Sequence, residues 1–93
     1  MLDLAVQIVN YKTKNYLIDC IHDVINDLKN SKLTYKILVI DNNSGENLDD
    51  LKNNYKEIIN IYYNDKNNGF GAGHNLLSKK EESRYILILN PDI

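Results

Sequence analysis

At 93 residues, 43% of them hydrophobic and 26% charged, the chain has the makeup of one small soluble domain and not of a disordered, fibrous or membrane-spanning polypeptide. A formal charge of −2, with no basic run interleaved with aromatics, excludes nucleic acid as a main partner. The single cysteine, Cys20, cannot form an internal disulfide, the opening MLDLAVQIVNYKTKN lacks the marks of a signal peptide, and no run nears the roughly 20 apolar residues of a membrane helix, so a cytoplasmic location is expected.

Residues 4–10 (LAVQIVN) read as the first strand. A helix follows over residues 15–30, with Leu17, Ile21, Val24, Ile25 and Leu28 at helical spacing, Asp19, Asp23, Asn26 and Asp27 on the other face, and Asn15 as the N-cap. Residues 36–41 (KILVID) form the second strand, 48–55 a short helix, 58–63 (IINIYY) the third strand, 72–82 a third helix, and 85–90 (YILILN) the last strand. The apolar runs ILVI and ILIL do not alternate, which predicts strands covered on both faces, as in parallel sheets. The order βαβαβαβ, with no internal linker or repeat, predicts a single α/β domain with a Rossmann-like, mostly parallel sheet. Its right-handed crossovers bring all strand C-termini to one edge, where ligands of such sheets bind.

Every strand exits into Asn or Asp at that edge. The exits are Asn10 and Tyr11; Asp41, Asn42, Asn43 and Ser44; Asn64, Asp65 and the loop NNGFGAGHN; and Asn90, Pro91 and Asp92. Turn formation alone accounts for many asparagines in such places. Asp41 has two readings, an acceptor for a base or ribose, or the cap of the turn that follows it. Pro91 ends the last strand and makes Asp92 project from the rim, where one carboxylate plus substrate phosphates is a common setting for Mg²⁺ or Mn²⁺. Gly69, Gly71 and Gly73 run G-x-G-x-G with His74 in the sixth place and follow the third strand, so the dinucleotide fingerprint fails. What remains is backbone able to approach a ligand or another segment closely, leading into a helix whose free N–H groups favour anions.

Taken in order, VIDNNSGE, NNGFGAGHN and LILNPDI make the chain resemble the nucleotide-binding, N-terminal half of GT-A glycosyltransferases, in the family 2 branch that includes rhamnosyltransferase-like enzymes. The resemblance spans essentially all 93 residues, with NPD in place of the usual DXD motif. It implies donor-nucleotide roles for Asn10, Tyr11, Asp41, Asn43, Asn68, Gly69, Phe70, Asn75, Asn90 and Asp92. Asp41 would recognise the base beside Tyr11; Asn68, Gly69 and Phe70 would shape the pocket; and Asn75 would pin the loop to the helix. Asn90 would lie near the ribose, and Asp92 would be the Mg²⁺ or Mn²⁺ ligand, although Asn90 stands where the family has an acid.

The implied reaction moves a sugar from a nucleoside diphosphate to a hydroxyl of a glycan or lipid-linked saccharide, in polysaccharide biosynthesis, with peripheral membrane association of the full enzyme. The family's base lies well after the DXD-like motif, whereas this sequence ends one residue after Asp92. The expectation is that the 93 residues bind donor weakly and transfer little sugar. Two other classes compete: a sugar-nucleotide nucleotidyltransferase, which would want a Gly- and Arg-rich loop where NYKTKN stands, and a non-catalytic α/β module for nucleotide or protein contacts. His22 reads as a solvated side chain, His74 as a variable loop position within reach of a phosphate, Cys20 as half-buried filling, and residues 79–84 as a solvated face.

Overall fold

The computed structural model describes residues 1–67 and 69–92. Strands β1 (Leu2–Asn10), β2 (Tyr35–Asp41), β3 (Ile59–Tyr63) and β4 (Ser83–Leu89) alternate with helices α1 (Lys14–Leu28), α2 (Asp49–Asn54) and α3 (Phe70–Leu77). All three pairings are parallel, in the order β3-β2-β1-β4. The chain therefore steps outward from β1 to β3 and then returns to the other side of β1. This reversal opens a crevice between the carboxyl ends of β1 and β4, the kind of switch point at which α/β sheets take ligands.

Side chains of a strand alternate between faces, so the sheet carries two cores. Val6 and Ile8 of β1, Ile37 and Val39 of β2, and Ile59 of β3 meet Leu17, Ile21 and Val24 of α1 and Leu48 and Leu51 by α2. On the opposite face Ala5, Val9, Leu38 and Ile40 meet Leu77 of α3. Each Val, Leu or Ile among them contributes about 1.5–3 kcal/mol when fully buried.

The expectation that ILVI and ILIL are both covered splits. In β2, Ile37 through Ile40 are at most 2% exposed, but in β4 Tyr85, Ile86, Leu87 and Ile88 are 73%, 49%, 41% and 52% exposed. The reason is position: α1 and α3 lie over β1 and β2, while β4 is an edge strand. Between α1 and β4 a cavity of about 430 Å³ is left open, walled by Asp19, Cys20 and Asp23 against Leu87 and Leu89. Bare apolar edges promote association. Ile86→Lys should therefore lower light scattering of concentrated protein while shifting the urea midpoint by no more than a surface change does, about 0.5 kcal/mol.

Helix starts also differ from expectation. Asn15 lies inside the first turn of α1, and Thr13 stands at the N-cap without capping it by its side chain, because its hydroxyl donates to Asn10 Oδ1 at 2.8 Å. The N–H of Lys14 is taken by Glu46 Oε2 at 3.3 Å instead. Helix α3 starts at Phe70 and ends at Leu77, earlier at both ends than residues 72–82, because Gly69 at φ 86° turns the chain directly into it. Cys20 is half-buried as expected, with burial and then Asp23 pushing its thiol up. His22 is exposed, yet it meets the Tyr55 hydroxyl at 3.0 Å through Nε2.

Candidate functional site

Strands β1 and β2 end in register, with Asn10 opposite Asp41 on the α1 face of the sheet. Asn10 is fully buried. Its Nδ2 donates to Asp41 Oδ1 at 2.7 Å and to Glu46 Oε1 at 3.1 Å. Asp41, 2% exposed, also accepts the Ser44 hydroxyl on Oδ1 at 2.7 Å and the Ser44 N–H on Oδ2 at 3.1 Å. Of its two sequence readings, the turn cap is the one this geometry displays. Asn43 at φ 59° and Gly45 at φ 81° then bend the loop so that Glu46 reaches back to the start of α1, where a carboxylate complements the helix dipole. Four segments are thus tied through one amide.

The next residue faces the other way. Asn42, 1% exposed, donates its N–H to Asn10 O at 3.0 Å and its Nδ2 to Gly69 O at 3.2 Å, and its Oδ1 accepts from Asn64 Nδ2 at 2.7 Å. The Gly69 N–H donates to Asn67 Oδ1 at 2.8 Å. The glycines divide their work: Gly69 holds a backbone angle that side chains disfavour, whereas an added Cβ at Gly73 would lie 2.8 Å from Val9 Cγ2 and at Gly71 would meet nothing within 4 Å. Gly73 is therefore what lets α3 lie close on the sheet and brings the loop to the crevice.

At that crevice Tyr11, Asn42, Gly69, Phe70, Asn90 and Asp92 line a cavity of about 220 Å³. Five of the ten sequence-derived site residues therefore converge: Tyr11, Gly69, Phe70, Asn90 and Asp92. Asn10, Asp41 and Asn43 form the turn on the other side of the strand ends. Asn75 is exposed on α3 and, among the described residues, makes no side-chain hydrogen bond, so the loop is pinned by Asn42 and Asn67 instead. Asn68 lies outside the described residues. Glu46, Thr13, Asn42 and Asn67 were not anticipated in these roles; Asn42 and the glycine loop are adjacent to predicted residues, but Glu46 acts only through a loop that folds back.

Asp92 and Asn90 offer hard oxygens on the solvent side of the cavity, the donor type that Mg²⁺ and Mn²⁺ prefer. Among the described residues no three His, Cys, Asp or Glu side chains gather in a metal-holding group. An ion held here would complete its shell with ligand oxygens and water. His74, in contrast, does not reach the edge. It is 5% exposed, its Nδ1 lies 3.2 Å from Gln7 Oε1, and burial pushes its imidazole below the usual 6.5.

A parallel α/β sheet with a crevice at its switch point has the architecture in which such sheets take ligands, and this one is the N-terminal part of a GT-A fold. The model of glycosyl transferase family 2 matches residues 5–93, and the chain belongs to that family. Among solved structures, S. aureus TarS 1-349 in complex with UDP superposes with a TM-score of 0.81 at 16% identity, over 98% of this chain and 28% of that one. The same protein without a named ligand gives 0.75 at 18% identity over 98% and 28%. In complex with UDP-GlcNAc it gives 0.75 at 18% over 98% and 27%. The chain thus spans about 28% of the length of these structures. No curated protein matches it. No helix among the described residues is long and apolar enough to cross a membrane.

Proposed function

We propose that these residues bind the nucleoside diphosphate of a sugar donor and form the donor half of an enzyme that transfers the sugar to an acceptor hydroxyl. The observation that carries the reading is the convergence of Tyr11, Gly69, Phe70, Asn90 and Asp92 on one cavity at the switch point. Its volume, about 220 Å³, is below the roughly 300–1,000 Å³ of pockets that enclose small ligands, so these residues supply one wall and the affinity of the chain alone is low. Tyr11 and Phe70 offer aromatic faces to the nucleotide. Asp41 keeps one acceptor site, on Oδ2, for a base N–H, and Asn90 serves the ribose. Asp92 would hold Mg²⁺ or Mn²⁺ against the diphosphate, which offsets charge on the leaving group. The base, and the glycan or lipid-linked acceptor, are assigned to parts of the enzyme other than these residues, in polysaccharide assembly on the cytoplasmic side.

UDP is the first probe because TarS was solved with UDP and UDP-GlcNAc. Calorimetric titration with UDP, GDP and dTDP, with and without Mn²⁺, should show binding that Mn²⁺ tightens by about tenfold or more. Asp92→Asn should keep the metal-free affinity and lose that gain. A well-folded chain that binds none of the three would overturn the donor reading and leave an α/β module for protein contacts.

A further inference from the structure

His74 and its neighbours close a ring of hydrogen bonds beneath the cavity wall. The carboxamide oxygen of Gln7 only accepts, so at 3.2 Å it assigns the proton of the imidazole to Nδ1. Gln7 Nε2 donates to the Ser78 hydroxyl at 3.3 Å, and that hydroxyl donates to the His74 carbonyl at 2.9 Å. Gln7 is 1% exposed in the middle of β1, where such a polar group is costly without partners. The remaining imidazole nitrogen, Nε2, is buried with no partner among the described residues. A proton added there would find no acceptor.

The imidazole also carries Phe70. The two ring centroids are 4.4 Å apart with planes at 71°, an edge-to-face contact, and Phe70, 49% exposed, forms part of the cavity wall. We propose that uncharged His74 is the positioning residue of this wall, fixing the Phe70 ring for a nucleoside diphosphate, and that protonation of His74 releases the ring and weakens binding. This rests on the donor reading above.

The surroundings are free of opposing charge. Strands β1 and β2 present Ala5, Val9, Leu38 and Ile40 to α3 beside Gln7, and on α3 itself the ring meets Phe70. By register with β1, Ile86 and Ile88 of β4 lie on the same face, with Asp3 and Arg84 at its far end. Lys80 lies over the Tyr62 ring, 5.1 Å from its centroid. Burial alone lowers the His74 value, with no charged neighbour contributing. The sign follows: above 6.5 folded and unfolded chains both hold neutral His74, and as pH falls below 6.5 the unfolded chain takes the proton first, so the ordered wall loses stability on acidification.

Phe70 is the only phenylalanine and His74 one of two histidines, so their ring signals can be followed singly by NMR. A titration from about pH 8 to about pH 5, with and without UDP, spans the range in which histidine acts as a switch. The Phe70 and His74 signals should move along one curve. UDP affinity should fall along it by up to about tenfold per pH unit, the limit for one proton, beyond the nucleotide's own titration. In His74→Asn the amide keeps a donor for Gln7 but has neither ring nor titration. It should bind UDP about two- to tenfold more weakly at the alkaline end, the span of an edge-to-face contact, and lack the additional acid loss. Phe70 signals that stay fixed while His74 titrates, or an acid loss that survives in His74→Asn, overturn the proposal. Absence of UDP binding at every pH overturns the donor reading, and the UDP-free titration of the Phe70 and His74 signals then still decides whether His74 positions the ring.

Discussion

Asn10→Leu should lower the stability of the chain by about 3–5 kcal/mol, read as a shift of the urea midpoint at unchanged slope. Leucine repeats the branching of asparagine and suits a β-strand, but its methyl groups are bulkier than the amide and add some overpacking at this buried site. Most of the loss comes from the partners. Asp41, 2% exposed, would keep only its Ser44 bonds, Glu46 would lose its side-chain partner at the start of α1, and the Thr13 hydroxyl would lose its acceptor. An unsatisfied buried group costs about 1–3 kcal/mol, and more when it is charged. Domains of this kind are stable by only about 5–15 kcal/mol, so the variant should be partly unfolded when warmed. The double variant Asn10→Leu with Asp41→Leu should recover part of the loss, since removing both partners leaves fewer stranded groups. A single-variant loss below about 1 kcal/mol would mean that water replaces the amide and that Asn10 is not the tie between these segments.

The sheet was readable from the sequence because each strand is a short run of Ile, Val, Leu and Tyr that exits into Asn or Asp. The shared carboxyl edge followed from the alternation with helices. What could not be read was anything set by contact between distant residues. ILIL and ILVI are the same chemistry, yet their burial differs because α1 and α3 cover β1 and β2 and not the edge strand β4. Asn15 is a sound N-cap by type, but the helix starts earlier because Glu46, some thirty residues on, supplies the acceptor. The alternation of strand side chains separates Asp41 from Asn42, sending one to the α1 face and the other to the glycine loop, and only the register of β1 against β2 shows which goes where. His74 looked like a loop residue within reach of a phosphate because Gln7, its partner, lies 67 positions away.

Gly73→Val should be the most damaging single change in the glycine loop, costing about 3 kcal/mol or more, while Gly71→Ala two positions earlier should stabilise by about 0.5–1 kcal/mol. Both glycines lie in α3 and both would gain helix propensity from a side chain. They differ in what a Cβ meets: nothing within 4 Å at Gly71, but at Gly73 Val9 Cγ2 at 2.8 Å and Ile40 Cγ2 at 3.2 Å. Val9 and Ile40 are β-branched and stiff at χ1, and they are 8% and 2% exposed, so neither can swing aside and α3 must lift from the sheet. Gly73→Ala should fall between, a clash of about 1–3 kcal/mol partly offset by about 1 kcal/mol of propensity. Lifting α3 also carries Phe70 and Gly69 away from Tyr11 and Asp92, so UDP affinity should fall in Gly73→Ala even where the chain remains folded, and should not fall in Gly71→Ala. Equal stability and equal UDP binding of the two alanine variants would show that close packing of α3 on β1 and β2 does not set the cavity wall.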